Sequence, residues 1–181
     1  MPTPDADGSK PLQSDDNPSF CPRCGGRLIA RAVEGRPRPV CEACGFIWYK
    51  DPKVAAGTLP VTADGRVVLV RRAIQPQRGR WTFPGGYMDR GETVPGAAVR
   101  ETWEECELRV EPTRLIGVYS YPTSIVVVII FAARITGGTL QAGPECLDAR
   151  AFAQDEIPWD ELAFSSTRDV LADYFGEAET P

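Results

Sequence analysis

Residues 86–108 read GYMDRGETVPGAAVRETWEECEL. Pro95 suits the first turn of a helix and Thr93 can cap it, so we predict a helix from Pro95 to Cys106. At about 100° per residue, one face of this helix carries three acidic residues, Glu101, Glu104 and Glu105. The opposite face, which we expect to be buried, carries Val99, Thr102, Trp103 and Cys106.

Three carboxylates within one helical turn repel one another, at a cost of about 0.2–0.5 kcal/mol per pair on an exposed helix. A hard divalent cation such as Mg²⁺ or Mn²⁺ offsets this repulsion, because it prefers oxygen ligands and is often shared with substrate phosphates. An ordinary solvated acidic face is the alternative. The chain contains no histidine, so carboxylates, cysteines and bound metal are the groups left for acid–base chemistry.

The spacing of these residues resembles the Nudix box, G-x5-E-x7-R-E-U-x-E-E-x-G-U, in which U is aliphatic. The positions in register are Gly86, Glu92, Arg100, Glu101, Glu104 and Glu105. Two positions differ, since Thr102 stands at an aliphatic position and Glu107 replaces the second glycine. We expect Glu107 to avoid the left-handed conformation that a glycine adopts there, which leaves open how the helix ends. The resemblance implies a mixed α+β fold, an α/β/α sandwich around a mixed sheet.

The resemblance also implies roles for individual residues. Glu101 and Glu105 would be the principal metal ligands, the Gly85 carbonyl another, and Glu104 either a ligand or the group that helps to deprotonate water. Gly86, Glu92 and Arg100 would support and orient these carboxylates. For Arg100, a plain surface ion pair is the alternative. Metal-activated water would then attack one phosphorus of a diphosphate.

A second motif lies upstream, where Cys21-x-x-Cys24 and Cys41-x-x-Cys44 are separated by 16 residues. This spacing places four thiolates around one tetrahedral zinc ion, and Gly25 and Gly45 allow the tight turn that follows each pair. Four sulfurs close the coordination shell, so the zinc would be structural. Redox-active dithiols or disulfides are the alternative. Two further cysteines, Cys106 and Cys146, are interpreted as small buried hydrophobic residues.

The remaining pattern divides the chain into a disordered tail (1–18), a zinc ribbon (19–50), a catalytic domain (51–176) and a short tail (177–181). Asp64-Gly65 suits the positive φ angles of a tight hairpin turn between two strands. We predict extended segments at 54–59, 67–71, 81–83, 115–121, 125–135 and 148–154, and a final helix at 166–175. The apolar run 125–133 is too short to cross a bilayer as a helix and is rich in β-branched residues, so we expect a buried strand.

Three longer stretches narrow the substrate: DPKVAAGTLP (51–60), RRAIQPQRGRWTFPGGYMDRGE (71–92) and GPECLDARAFAQDEIPWDELAFSS (143–166). With the preceding zinc ribbon, they resemble the plant FAD and ADP-ribose diphosphatases and their bacterial relatives. This implies release of AMP from FAD or ADP-ribose, with Glu145 as an added metal ligand or base. A solvated loop acid is the alternative for Glu145.

Several residues near the box are candidates for substrate contacts. Arg71, Arg72 and Arg80 lie where they could hold phosphates, although each alone is more often a solvated surface residue. Tyr87 is a candidate for stacking on a base, as are Trp81 and Tyr121. The NADH diphosphatases also carry a zinc ribbon, but they share a Gln-Pro-Trp-Pro-Phe-Pro stretch that is absent here, so NADH ranks second.

Two other classes of function remain open, a Nudix-fold nucleotide sensor without turnover and a zinc-ribbon nucleic-acid binder. The full set of acids argues against the sensor. The net charge of −5 argues against general attraction to nucleic acid or anionic lipid. We therefore expect a cytoplasmic enzyme with a small nucleotide substrate and no nucleic-acid or membrane partner. The resemblance allows a homodimer.

Overall fold

The computed structural model describes residues 18–178. The predicted tails fall outside this range except for residue 18 and for residues 177 and 178, which belong to the C-terminal helix. The chain divides into two compact units after Pro52. None of the helices within the described range is long and apolar enough to cross a membrane.

The N-terminal unit is built on one antiparallel hairpin, β1 (Leu28–Val33) and β2 (Arg36–Cys41). The sequence pattern did not predict these two strands. Their core is small, with Leu28 and Cys41 packed against Cys21, Phe46 and Trp48. So few apolar contacts cannot stabilise a module of this size alone, which is consistent with metal binding contributing to its folding.

Among its described residues, the second unit contains seven strands, two α-helices and two short 3-10 helices (Gln154–Glu156 and Trp159–Glu161). The strands and α-helices are β3 (Lys53–Val61), β4 (Val67–Arg72), β5 (Trp81–Thr82), β6 (Gly85–Tyr87), α1 (Val94–Cys106), β7 (Leu108–Ser120), β8 (Val126–Gly138), β9 (Cys146–Phe152) and α2 (Ser165–Ala178). The strand order is β5-β4-β3-β8-β7, with β6 also paired to β3 and β9 to β4. Only β3 and β8 run parallel, so the sheet is mixed.

Alternating residues of β4 separate the core into two layers. Val67 and Leu69 pack with Val170 and Leu171 of α2 on one face of the sheet. Val68 and Val70 lie on the other face, in the cluster that includes Cys106 at the end of α1. Since side chains alternate along a strand, the two helices cover opposite faces. The predicted α/β/α arrangement is confirmed.

The hairpin predicted at Asp64-Gly65 is present, but its turn differs from the expected one. Of the two residues, only Gly65 has a positive φ, 81°. The amide of Thr62 donates to the carbonyl of Arg66, 2.9 Å away, so the loop contains three residues. Such loops combine a type I turn with one left-handed residue.

Candidate active site and metal sites

Helix α1 begins and packs as the sequence predicts, apart from one residue. The Thr93 hydroxyl accepts a hydrogen bond from the amide of Gly96 at 3.2 Å, which caps the first turn. The buried face is formed by Ala97, Ala98, Thr102 and Cys106. Trp103 was expected on that face, but it is 44% exposed and lines the cleft described below. The small residues already fill the space against the sheet.

Thr102, which departs from the aliphatic pattern, is fully buried yet satisfied. Its hydroxyl lies 2.6 Å from that of Thr58 on β3 and donates to the carbonyl of Ala98 at 2.7 Å. A buried hydroxyl needs such partners to offset the loss of water. The pair fixes α1 on the sheet with its acidic face turned to the cleft, and no sequence signal pointed to Thr58.

The C-terminal end of α1 corrects a second expectation. Glu107 adopts the left-handed conformation, with φ of 54°, and its amide donates to the carbonyl of Trp103 at 2.9 Å. The helix therefore ends as it would with glycine, despite the cost of left-handed backbone for an L-residue. The expectation that Glu107 avoids this conformation was wrong, because the start of β7 at Leu108 requires the sharp turn.

The loop after β8 passes directly across this end of the helix. The amide of Gly143 donates to the carbonyl of Glu105 at 2.9 Å. A Cβ at Gly143 would lie 1.9 Å from the carbonyl oxygen of Glu104, so only glycine allows so close an approach. This contact brings Glu145, two residues later, to the same cleft as the acids of α1.

Arg100 is the centre of a charged network that joins the loop before α1 to the helix. Its Nε and Nη2 donate to the two oxygens of Glu92 at 2.7 and 2.9 Å. Its Nη1 donates to Glu101 at 2.7 Å and to Glu104 at 3.0 Å, and Nη2 also donates to the Tyr87 carbonyl at 3.1 Å. These five hydrogen bonds distinguish Arg100 from a plain surface ion pair.

Glu92 is fixed in its ionised form by this network. The hydrogen bonds from Arg100, with that from the amide of Asp89, lower the pKa of Glu92 to about 2. The same carboxylates raise the pKa of the Arg100 guanidinium. Both groups therefore stay charged at neutral pH, and they hold Glu101 and Glu104 in place.

Gly85 and Gly86 allow β6 to lie close to the acids of α1 and to the neighbouring strand β3. On β6, the amide of Gly85 donates to Glu105 Oε2 at 2.9 Å. A Cβ at Gly86 would lie 2.5 Å from Glu101 Oε2, and one at Gly85 would lie 2.8 Å from the Cα of Gly57 on β3. The glycines therefore allow close contact between protein groups. The expected role of the Gly85 carbonyl as a metal ligand stays a prediction.

Burial raises the pKa values of Glu101 and Glu105, and that of Glu105 reaches about 7. The charges of Glu101 and Glu145 add to this effect at Glu105, while Arg72 opposes it. Carboxylates that are both buried and close to like charges are costly to ionise without a cation. The donor set is all oxygen, which fits Mg²⁺ or Mn²⁺.

Hydrogen bonds to other groups hold the carboxylates apart. Among residues 18–178, only the four cysteines place three or more potential ligand atoms within 4.8 Å of one another. Glu101 and Glu104 are bonded to Arg100, and Glu105 is bonded to the Gly85 amide. A cation would therefore have to compete with these hydrogen bonds to draw the oxygens together.

These residues line a cleft of about 1080 Å³. Its acidic residues are Asp89, Glu101, Glu104, Glu105, Glu107 and Glu145, and its aromatic residues are Phe83, Tyr87, Trp103, Tyr121 and Phe164. This volume lies just above the usual range for small-molecule sites, about 300–1,000 Å³. The cleft is therefore large enough for a ligand with two ring systems joined by a diphosphate.

Of the basic residues expected to hold phosphate, only Arg72 lines the cleft. Its Nε donates to the carbonyl of Pro76 at 2.9 Å, and its guanidinium lies 5.2 Å from the centre of the Phe164 ring. Arg71 and Arg80 do not line the cleft, because they donate to backbone carbonyls elsewhere, Arg71 to Gly79 and Arg80 to Asp160. The structure does not bring these two arginines to the acids.

Of the three aromatic residues considered for stacking on a base, two line the cleft and one lies in the core. Tyr87 lines the cleft and is 52% exposed, with Lys53 Nζ 4.9 Å from the ring centre. Trp81 is core, packed edge-on against Phe152. Tyr121 lines the cleft and donates to Asp169 at 2.5 Å.

Sequence reasoning missed the start of α2 as a cleft wall. Ser166 lines the cleft, is 7% exposed and has no hydrogen-bond partner for its hydroxyl within the described part of the chain. A hydroxyl that lines the cleft and has no protein partner is available to a bound ligand. No periodic or motif signal marks such a position in the sequence.

The four cysteines come together as their spacing predicts. The Sγ atoms of Cys21 and Cys44 are 3.8 Å apart, those of Cys24 and Cys41 are 3.5 Å apart, and those of Cys24 and Cys44 are 3.3 Å apart. A tetrahedral zinc with Zn–S bonds of about 2.3 Å requires sulfurs about 3.8 Å apart. The cluster is therefore close to the size that zinc needs.

Two similar turns build this cluster. Gly25 and Gly45 have φ angles of 74° and 71°, and their amides donate to the carbonyls of Cys21 and Cys41. The predicted knuckles are confirmed. Cys106 and Cys146 lie elsewhere, in the apolar cluster beneath α1.

Comparison with known families and proteins gives a consistent result. The family model described as "NUDIX domain" matches residues 51–174, and the one described as "Nudix N-terminal" matches residues 19–50. The chain is similar to a crystal structure of a NUDIX hydrolase from Nitrosomonas europaea, at 40% identity and a TM-score of 0.83, over 90% of this chain and 94% of that one.

Two curated relatives act on different substrates. An ADP-ribose pyrophosphatase of Methanocaldococcus jannaschii is 35% identical over 130 residues, which cover 70% of this chain and 75% of the relative. A NAD-capped RNA hydrolase, NudC of Stutzerimonas stutzeri, is 30% identical over 140 residues. That match covers 77% of this chain but only 49% of the relative, so this chain spans about half of that protein's length.

Proposed function

The chain belongs to the Nudix family and is a Nudix diphosphatase, and from this premise we propose that it hydrolyses ADP-ribose or FAD, with release of AMP. The observation that carries the proposal is the set of carboxylates around Arg100, which lines a cleft large enough for both halves of such a substrate. The ADP-ribose pyrophosphatase relative supports ADP-ribose as the first choice.

Glu101, Glu104, Glu105 and Glu145 would hold the Mg²⁺ or Mn²⁺ ions, with the Gly85 carbonyl as a further ligand. When bound, these ions supply neutralisation of charge on the phosphoryl oxygens. Glu92 and Arg100 act through the carboxylates, because they fix the positions of Glu101 and Glu104. Arg72 would hold a phosphate at the cleft, and Tyr87 would stack on a ring of the substrate.

The reaction adds water across the P–O–P bridge. One phosphorus gains the water oxygen, the bridging oxygen leaves with the other phosphate, and the proton passes to a carboxylate before release. Glu104, which is 53% exposed and bonded only to Arg100, and Glu145 at the facing loop are the two candidates for that proton acceptor. With ADP-ribose the products are AMP and ribose 5-phosphate, and with FAD they are AMP and FMN.

NADH is the second substrate we consider. The NudC relative favours a nicotinamide dinucleotide. The absence of the Gln-Pro-Trp-Pro-Phe-Pro stretch in this chain places NADH after ADP-ribose and FAD. The cytoplasmic location and a homodimer stay proposals, and the homodimer rests on resemblance.

The test is to incubate the zinc-containing protein with ADP-ribose, FAD or NADH, each with Mg²⁺ or Mn²⁺, and to measure AMP. We expect AMP from ADP-ribose or FAD at the highest kcat/KM. Glu105→Gln keeps the shape of the side chain but removes its charge, and it should lower turnover by orders of magnitude while leaving the fold intact.

Glu161→Gln is the matched control, because Glu161 is exposed and lies outside the cleft. It should behave like the wild type. If Glu105→Gln keeps near-normal rates at all metal concentrations, the ligand assignment fails. If no substrate yields AMP, the proposed substrates are wrong.

A further inference from the structure

The two faces of the β1–β2 hairpin carry different kinds of residue. Leu28 and Cys41, which pair across the strands, point into the zinc module's core. The next residues along each strand point away from it, because side chains alternate. The register pairs Arg31 with Arg38 and Val33 with Arg36 on this outer side.

Flanking segments extend the outer side at both edges of the hairpin. Along the edge of β1, Phe20 bridges Arg27. Along the edge of β2, Val40 bridges Ile47, and the guanidinium of Arg38 lies 4.6 Å from the centre of the Tyr49 ring. The polar and aromatic residues of this surface are Phe20, Arg27, Arg31, Arg36, Arg38 and Tyr49, which we call the arginine face. The aliphatic residues Ile29, Val33, Val40 and Ile47 share the same side of the hairpin.

The zinc module is positively charged although the chain as a whole is negatively charged. Residues 19–50 contain six Lys and Arg but only two Glu, a formal net charge of +4, while the rest of the chain carries −9. A zinc ion with four thiolates contributes −2, so the module stays positive. Glu34 lies in the hairpin turn and Glu42 in the second knuckle, so neither is on the arginine face.

The positive charges on this face have no acidic partners. Within residues 18–178, none of Arg27, Arg31, Arg36 and Arg38 forms an ion pair. Arg31 lies directly opposite Arg38, an arrangement of like charges that destabilises a sheet. The Nε of Arg38 is also buried without a hydrogen-bond partner. A bound anion would offset the repulsion between Arg31 and Arg38.

The aromatic residues indicate which polyanion fits. Phe20 is 67% exposed and Tyr49 is 46% exposed, and they lie beside the arginines rather than in one apolar patch. Arginines that contact phosphates next to exposed rings that stack on bases are the two elements of single-strand recognition. In duplexes the bases already stack on one another, and the face carries no helix that could enter a major groove.

We propose that the arginine face binds single-stranded nucleic acid, separately from the hydrolytic cleft. The interaction would be electrostatic and independent of sequence, with the rings of Phe20 and Tyr49 stacking on unpaired bases. The proposal does not depend on which dinucleotide the cleft accepts. It also revises the expectation, drawn from net charge alone, that no nucleic acid binds.

The test uses the full zinc-containing chain and a fluorescein-labelled single-stranded 12-mer of uridine, without added Mg²⁺ or Mn²⁺. Fluorescence anisotropy would be measured between 50 and 200 mM NaCl. Four phosphate contacts on a single strand predict a slope of about −3 when the logarithm of the binding constant is plotted against the logarithm of the salt concentration. Binding should therefore weaken about 50-fold between 50 and 200 mM NaCl. Arg31→Gln/Arg36→Gln should lower the slope to about half and weaken binding about tenfold or more at 50 mM.

A matched control removes two positive charges from the other unit, at Arg134 and Arg150, which are 66% and 63% exposed. The variant Arg134→Gln/Arg150→Gln should bind as the wild type does. Phe20→Ala/Tyr49→Ala should weaken binding without changing the slope, since it removes stacking and no charge. Zinc content, measured for every variant, verifies that the module is folded.

Stability gives an independent readout. Arg31→Gln removes the repulsion with Arg38, so it should raise the Tm while it weakens RNA binding. The proposal is overturned if the wild type does not bind the 12-mer at 50 mM NaCl, or if Arg31→Gln/Arg36→Gln binds it as tightly as the wild type. Stronger binding to a duplex or to phosphatidylserine vesicles than to the single strand would also overturn it.

Discussion

Replacing Arg100 by lysine tests whether this side chain positions the metal ligands. Lysine keeps the positive charge but cannot make the two-pronged contact with Glu92 together with the bonds to Glu101 and Glu104. Of the five hydrogen bonds of Arg100, at least two would be lost. Bonds between charged groups contribute about 1.5–3 kcal/mol each when shielded, and the 30% exposure of Arg100 reduces this contribution.

The loss should appear at the metal site, since Arg100 acts through the carboxylates. Groups that orient metal ligands typically contribute about 10–100-fold in metal affinity or activity. We therefore expect Arg100→Lys to raise the Mn²⁺ concentration for half-maximal AMP release, or to lower kcat, by about 10–100-fold. The KM for ADP-ribose at saturating Mn²⁺ should change much less.

The assay is a Mn²⁺ titration of AMP release at fixed ADP-ribose, with circular dichroism as a check on folding. Arg134→Lys is the matched control, because Arg134 pairs with a single acid, Glu111, on an exposed surface. It should shift the titration less than twofold. If Arg100→Lys gives the wild-type titration and rate, Arg100 is only a surface ion-pair partner and the positioning argument is refuted.

Three further predictions concern pH, helix termination and zinc. Burial raises the pKa of Glu105 from 4.5 to about 7, so the protein without added metal should lose stability as pH rises through this window. The rise in Tm on adding Mn²⁺ should therefore be larger at pH 8 than at pH 6, and an equal or reversed difference contradicts this. Glu107→Gly should increase the free energy of unfolding, measured by urea denaturation, by about 0.5–1 kcal/mol, because glycine adopts the left-handed backbone of residue 107 without strain. Glu107→Ala should not increase it, and equal effects of the two variants would show that no strain is present. Cys24→Ser should reduce the zinc content, measured by atomic absorption, and leave ADP-ribose turnover within a few-fold of the wild type. A complete loss of turnover would show that the zinc module is required for catalysis.

Local signals in the sequence predicted the elements on which the site is built. Thr93 and Pro95 marked the start of α1, and the cysteine spacing predicted the zinc cluster. These features depend on residues close together in the chain, so they follow from local rules. The segment 115–121 was predicted too short, because the pairing of β7 with β8 begins at Leu108 and is set by partners distant in sequence.

The unpredicted parts of the site depend on tertiary contacts. Strand β6 contains three residues and exists because Gly57 and Gly85 allow two backbones to approach. The hydroxyl pair of Thr58 and Thr102 and the lone hydroxyl of Ser166 likewise arise only when distant elements pack. Composition and periodicity carry no information about such contacts.

The same reason explains the incorrect expectations for arginines. Arg71 and Arg80 are close in sequence to Arg72, yet their guanidinium groups bind backbone carbonyls outside the cleft. Proximity in the chain does not determine which side of a strand a residue faces, because neighbours alternate. Likewise, net charge summed over the chain concealed the basic zinc module.

A crystal structure with Mn²⁺ and a non-hydrolysable ADP-ribose analogue, analysed by anomalous scattering, tests the account most directly. It should show a manganese peak about 2.0–2.4 Å from oxygens of Glu101 and Glu105, with the diphosphate beside it. The account would be contradicted if manganese bound elsewhere while Glu101 kept its hydrogen bond to Arg100 and Glu105 kept its hydrogen bond to the Gly85 amide.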